Sequence, residues 1–185
     1  MATALIDRGA DVNAPSTNPK YMKGTPLMAA SANGRVEVMR VLLAAGAKVN
    51  QGDANGTTAL MLASECGLVE AIRVLLAAGA QVNQADGEVV TALMVASQMG
   101  HVEAIRVLLA AGAQVNQVDA NGETALMFAS LEDQVEAVKV LIAAGADPRL
   151  VATNGATALS TAQHNKHTAI VSLLQAKLAE LAGSA

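Results

Sequence analysis

Few residues of this chain have the types and spacing that chemistry requires. His164 and His167 stand three apart, so they share a helix face or flank its start. A zinc-type centre needs three or four ligands, and no further ligand lies near them in sequence, so a solvated helix end is the better reading. Cys66 is the single cysteine. No His or Asn is placed to activate it as a nucleophile. It also excludes an internal disulfide framework and points to a reduced thiol in a cytoplasmic protein. The Gly-x-x-x-x-Gly and Asn-Gly-Glu-Thr fragments are not followed by Gly-Lys-Ser/Thr after a strand, so they read as turns and not as phosphate loops. No catalytic, metal-binding or cofactor-binding residue is expected.

Composition excludes further classes. The 185 residues suit one domain or one short solenoid. The chain is 52% apolar, much of it alanine, with Tyr21 and Phe128 as its only aromatics. Such a core suits close-packed helices better than a pleated sheet. A net charge of −4 without a basic stripe argues against a nucleic-acid partner. No apolar run reaches the roughly 18–20 residues of a membrane helix. The opening "MATALIDRGADVN" has neither a long apolar region nor a cleavage-type site. No membrane and no small-molecule substrate is expected.

The informative signal is a period. "AIRVLLAAGAQVN" is spelled at 71–83 and again at 104–116. Thr25, Thr58, Thr91, Thr124 and Thr157 each open a similar block, in steps of 33. Within the unit from Thr58 to Val90, the Thr58 hydroxyl caps a short helix over "ALMLASEC", and Gly67 ends it in a left-handed conformation. A second helix runs from about Leu68 to Ala78, with Val69, Ile72, Leu75 and Leu76 as its apolar stripe. Gly79 ends it, and a hairpin-like loop leads to the next threonine. Neither helix can bury its stripe alone, so the units must stack. The recurring Ala59, Ala63, Ala71 and Ala80 let neighbours approach closely.

The 33-residue period, the Thr-Pro/Ala-Leu-x-x-Ala opening, the mid-unit glycine and the "LLAAGAxVN" close resemble the ankyrin repeat. The resemblance implies an all-α repeat solenoid of paired antiparallel helices, with hairpins projecting at roughly a right angle. It implies a concave surface of hairpin tips and shorter inner helices, and a protein-binding role without catalysis. It also puts His101 at a position between helices that satisfies backbone groups. The expected organisation is one continuous solenoid. Residues 1–24 form a partial repeat (an outer helix and a long hairpin). Full repeats follow at 25–57, 58–90, 91–123 and 124–156, and 157–185 form a C-terminal capping repeat.

Several features depart from that pattern. The family's fourth-position His is replaced by Met28, Met61, Met94 and Met127, so the ring's local hydrogen bonds are expected to be lost. A methionine stripe suits a binding groove or buried gap-filling, and gap-filling is favoured. The tips "DANG" and "ATNG" place Asn-Gly at the turn, whereas "DGEV" at 86–89 puts Val89 in the glycine position, so a different backbone is expected there. Four extra residues before Thr25 make a longer finger carrying Tyr21 and Met22. The start lacks a first helix, which suggests a fragment of a longer protein or an end that another segment covers. "AQHNKHTAIVSLLQAKLAELAGSA" reads as a polar cap ending in an extended amphipathic helix.

Variation locates the candidate site. From Gly67 to Gln84 and from Gly100 to Gln117, seventeen of eighteen letters agree. The units disagree at the positions that the resemblance makes concave: Asn55, Thr57, Glu65, Cys66, Glu88, Val90, Gln98, Met99, Asn121, Glu123, Leu131 and Glu132, with Tyr21 and Met22 on the finger. Glu37/Arg40, Glu70/Arg73, Glu103/Arg106 and Glu136/Lys139 are expected as i,i+3 pairs on the convex helix. Glu65, Glu88, Glu123 and Glu132 have no such cation, which favours a protein partner with a basic segment. The competing readings are a structural spacer and an engineered ankyrin scaffold, neither with binding of its own.

Overall fold

The structure, a computed structural model, describes residues 11–15 and 24–183. Among them are ten helices and no strand, arranged in pairs. The first helix of each pair has seven residues: α1 (Pro26–Ala32), α3 (Ala59–Glu65), α5 (Ala92–Gln98), α7 (Ala125–Leu131) and α9 (Ala158–His164). The second has nine in α2 (Val36–Ala44), α4 (Val69–Ala77), α6 (Val102–Ala110) and α8 (Val135–Ala143). The last, α10 (Thr168–Gly183), has sixteen. First helices pack on first helices in chain order and second helices on second helices, which gives a two-layer solenoid.

A threonine starts each first helix. The Thr58 hydroxyl accepts from the Met61 N–H at 3.3 Å, and Thr91 does the same for Met94 at 3.4 Å. The methionines complete the cap in a way the sequence did not suggest. The N–H groups of Thr25, Thr58 and Thr91 donate to the sulfur of Met28, Met61 and Met94 at 3.3, 3.4 and 3.4 Å. That is the reciprocal bond of a capping box, with a weak thioether acceptor in place of a carboxylate or amide. The expected loss of local hydrogen bonding is therefore corrected for these three units. Met28, Met61, Met94 and Met127 are also buried, so they fill the core.

The second helices bury one face. In α4, Ala71, Ile72, Val74 and Leu75 are buried, while Val69 and Leu76 pack only partly against the core. The buried stripe thus keeps Ile72 and Leu75 of the expected set, with Ala71 and Val74 buried where Val69 and Leu76 are only partly so. Ile72, Leu75, Ile105 and Leu108 are fully enclosed.

Two polar devices tie neighbouring units together. The first is an asparagine ladder. Asn50 donates its amide to the Gly79 carbonyl at 3.2 Å and accepts from the Gln81 N–H at 2.8 Å. Asn83 does this with Gly112 and Gln114, Asn116 with Gly145 and Asp147, and Asn13 with Gly46 and Lys48. One side chain thereby satisfies a helix-terminal carbonyl and a loop N–H of its neighbour. The second device lies between the helices. His101 Nε2 donates to the Glu65 carbonyl at 2.9 Å, Gln134 to Gln98 at 3.2 Å, and His167 Nδ1 to Ser130 at 2.9 Å. His101 therefore has the expected backbone-satisfying role. His167, expected to be solvated, has the same one. Gly67 is required twice over: its φ is +63°, and a Cβ there would stand 2.6 Å from the His101 ring.

Two substitutions separate packing from stitching. Leu75→Ala should cost ~2–5 kcal/mol, because the site cannot collapse between two units. Asn83→Ala should cost about 1–2 kcal/mol for its two inter-unit bonds. Urea unfolding measures both; a cost of Leu75→Ala below that of Asn83→Ala would contradict the shared core.

Candidate functional site

Three of the hairpins that join the units are built on an aspartate, and the one before the last unit has Ala152 in its place. The Asp53 carboxylate accepts from the Asn55 and Thr57 N–H groups at 2.8 and 3.0 Å. Asp86 holds Glu88 and Val90 at 2.9 Å each, and Asp119 holds Asn121 and Glu123 at 2.9 and 2.7 Å. The tips are then joined to one another. The Gly87 N–H donates to the Asn55 carbonyl at 2.8 Å, Ala120 to Glu88 at 3.0 Å and Thr153 to Asn121 at 2.8 Å. The backbones of Asn55, Glu88 and Asn121 are thus part of the frame, while their side chains stay exposed.

The 86–89 tip corrects an expectation. Its backbone follows the other tips: the Asp86 N–H donates to the Val90 carbonyl at 3.1 Å, as Asp53 does to Thr57 at 3.0 Å. Val89 takes a φ of +63°, where Gly56, Gly122 and Gly155 take +83°, +76° and +82°. The aspartate turn and the tip-to-tip bonds impose the left-handed conformation on a β-branched residue that avoids it.

Of the expected site residues, Glu65, Cys66, Met99, Leu131 and Glu132 are exposed, as are the three tip side chains above. Thr57, Val90, Gln98 and Glu123 are half-buried. Tyr21 and Met22 lie outside the described residues. Glu123 and Leu131 meet at one groove of about 420 Å³, where Met127 and Phe128 of α7 face Ala156, Thr161 and His164 of the last unit. Hairpin and first-helix residues thus form the two sides of one surface. The other expected residues do not line that groove. Cys66 is a free, exposed thiol.

Sequence reasoning missed three residues of this surface. Val118 and Val151 are 41% and 58% exposed beside the tips, and Phe128 lines the groove. The signal was present: Gly52, Ala85, Val118 and Val151 fall in one register, as do Leu62, Val95 and Phe128, and both sets vary.

Charge is distributed unevenly. Glu65, Glu88, Glu123 and Glu132 have no ion-pair partner among the described residues. On the second helices, Arg40 lies 3.9 Å from Glu37 and 3.3 Å from Glu70, Arg73 lies 3.8 Å from Glu103, and Lys139 lies 2.6 Å from Glu136. The expected i,i+3 pairs thus form at Glu37/Arg40 and Glu136/Lys139. Glu70 and Glu103 instead pair with the arginine of the preceding unit, because stacked helices bring that side chain closer. Partial burial, and then the neighbouring Asp119 carboxylate, raise the pKa of Glu123. The folded state therefore disfavours its charge, and stability falls as pH rises through its titration. Hydrogen bonds from Arg149 lower the pKa of Asp147.

A family model described as ankyrin repeats, in three copies, matches residues 1–86 and 82–152. The chain belongs to the ankyrin repeat family, whose members are in general protein–protein interaction modules and generally not enzymes. The last helix pair, α9 and α10, lies beyond the matched residues. None of the curated proteins matches the chain. No helix among the described residues is long and apolar enough to cross a membrane.

Val89→Gly should raise stability by about 1 kcal/mol, the released strain exceeding the added backbone freedom of glycine. Thermal unfolding checks this; a lower melting temperature would mean that Val89 is not strained.

Proposed function

We propose that this chain is a non-catalytic, intracellular interaction module. It binds a partner protein through its hairpin tips and first helices, and the partner presents a basic segment there. The observation that carries the reading is the contrast between the two faces. The second-helix glutamates Glu37, Glu70, Glu103 and Glu136 all have cations within 4 Å. The carboxylates of Glu65, Glu88, Glu123 and Glu132 have none among the described residues, and they sit where otherwise near-identical units differ. Unpaired like charges on one surface steer an oppositely charged partner and select against acidic ones. Met99, at 48% exposure, and Leu131, at 43%, supply apolar anchors between those charges. The finger carrying Tyr21 and Met22 belongs to the same proposed surface. The single exposed cysteine suits a reducing compartment.

Two quadruple variants test the assignment in pull-downs at low and high salt. Replacing Glu65, Glu88, Glu123 and Glu132 with Ala should remove partners and flatten the salt dependence. Replacing Glu37, Glu70, Glu103 and Glu136 should leave binding intact. The reverse result assigns the wrong face; parental binding by both variants at every salt concentration defeats the electrostatic claim.

A further inference from the structure

The groove between α7 and the last unit pairs a wall of large side chains with a wall of small ones. The fourth residue of each block, counted from its opening threonine, is Met28, Met61, Met94 and Met127 in successive units, but Ser160 in the last. The next position is Ala29, Leu62, Val95 and Phe128, then Thr161 in the last. Two bulky side chains have become small on one wall, while Phe128 and Leu131 remain large on the other. Ser160 keeps the capping bond, since the Thr157 N–H donates to its hydroxyl at 2.8 Å. The helix start is therefore preserved while the volume is lost. The resulting groove of about 420 Å³ opens to solvent.

Its charge is also one-sided. Glu123 is on the lining, and no Lys or Arg is. Behind it the buried Asp119 uses Oδ1 for the Asn121 and Glu123 N–H groups and adds a second negative charge. Glu132 and Asp133 follow Leu131 in the chain, both exposed. A half-buried carboxylate backed by another, with no ion-pair partner among the described residues, gains from an incoming positive charge.

We propose that this groove anchors the partner by taking a bulky aliphatic or aromatic side chain, with a lysine or arginine beside it pairing with Glu123. The inference rests on the interaction-module reading and assigns one place on that face its ligand chemistry. An apolar anchor seated against Phe128 and Leu131 supplies buried area, and the adjacent cation supplies register.

A random peptide library displayed on phage, panned on the full chain, supplies the probe, and fluorescence anisotropy of the enriched peptides supplies the affinities. The enriched peptides should carry Leu, Ile, Met or Phe beside Lys or Arg. Their affinity should fall by about tenfold or more in Glu123→Gln, as for a truncated interfacial charge pair. It should fall likewise in Thr161→Phe, which refills the groove with the side chain found one unit earlier. Glu70→Gln and Glu103→Gln, on the second helices, should leave it unchanged. Glu123→Gln removes a charge that the fold disfavours, so it remains readable if Thr161→Phe perturbs the cap. No enrichment, peptides without a cation, or affinities indifferent to both groove variants would overturn the proposal. Loss of binding in Glu65→Gln and Met99→Ser, with both groove variants at parental affinity, would overturn the groove and leave the face standing. Loss only in the quadruple variant of the second-helix glutamates would overturn both.

Discussion

No unit of this chain can satisfy itself. A seven-residue helix and a nine-residue helix expose too much apolar surface and too many helix-end carbonyls to persist alone. The adjacent unit remedies both deficits. Its helices cover Ile72 and Leu75, and its Gly79 carbonyl and Gln81 N–H meet the Asn50 side chain. The asparagine amide is the most economical of these links, because its donor and acceptor serve two backbone groups of the next unit at once. Everything else follows from that dependence: the constant spacing, the alanines at the close approaches, and the glycine that makes room for the His101 ring.

A frame fixed in this way leaves a defined remainder free to vary. Three hairpin backbones are held by Asp53, Asp86 and Asp119 and all are joined by tip-to-tip bonds, so the tips differ in side chain while keeping a similar path. Val89 shows how strong the hold is, since it keeps the glycine conformation without being glycine. The surface facing the first helices can thus change its chemistry from unit to unit while its geometry stays fixed. That property suits a protein–protein interaction module.

The helix pairs were legible in the sequence because one signal, the step of 33, recurs in strict register along the chain. The cap threonines and the left-handed glycines followed from local chemistry, and His101 from the family pattern. What escaped was interaction between units. The letters "VN" close unit after unit, yet nothing local says that an asparagine will reach a glycine carbonyl 29 residues on. The same blindness assigned Glu70 and Glu103 to cations on their own helices. Methionine as a cap acceptor was missed because its sulfur bonds weakly and is seldom read as polar. The groove at the last unit was visible only as two small letters, Ser160 and Thr161; their meaning needed Phe128 placed opposite.

Mutual completion of the units is the central claim, and hydrogen exchange of the intact chain under graded denaturant tests it most directly. The amides of Ile72, Leu75, Ile105 and Leu108, in two different units, should exchange through one common opening. They should share a single free energy and a single denaturant dependence, because exposing either helix strips the other. If α4 instead opens at a lower free energy and with a smaller denaturant dependence than α6, each unit is stable on its own terms, and mutual completion is contradicted.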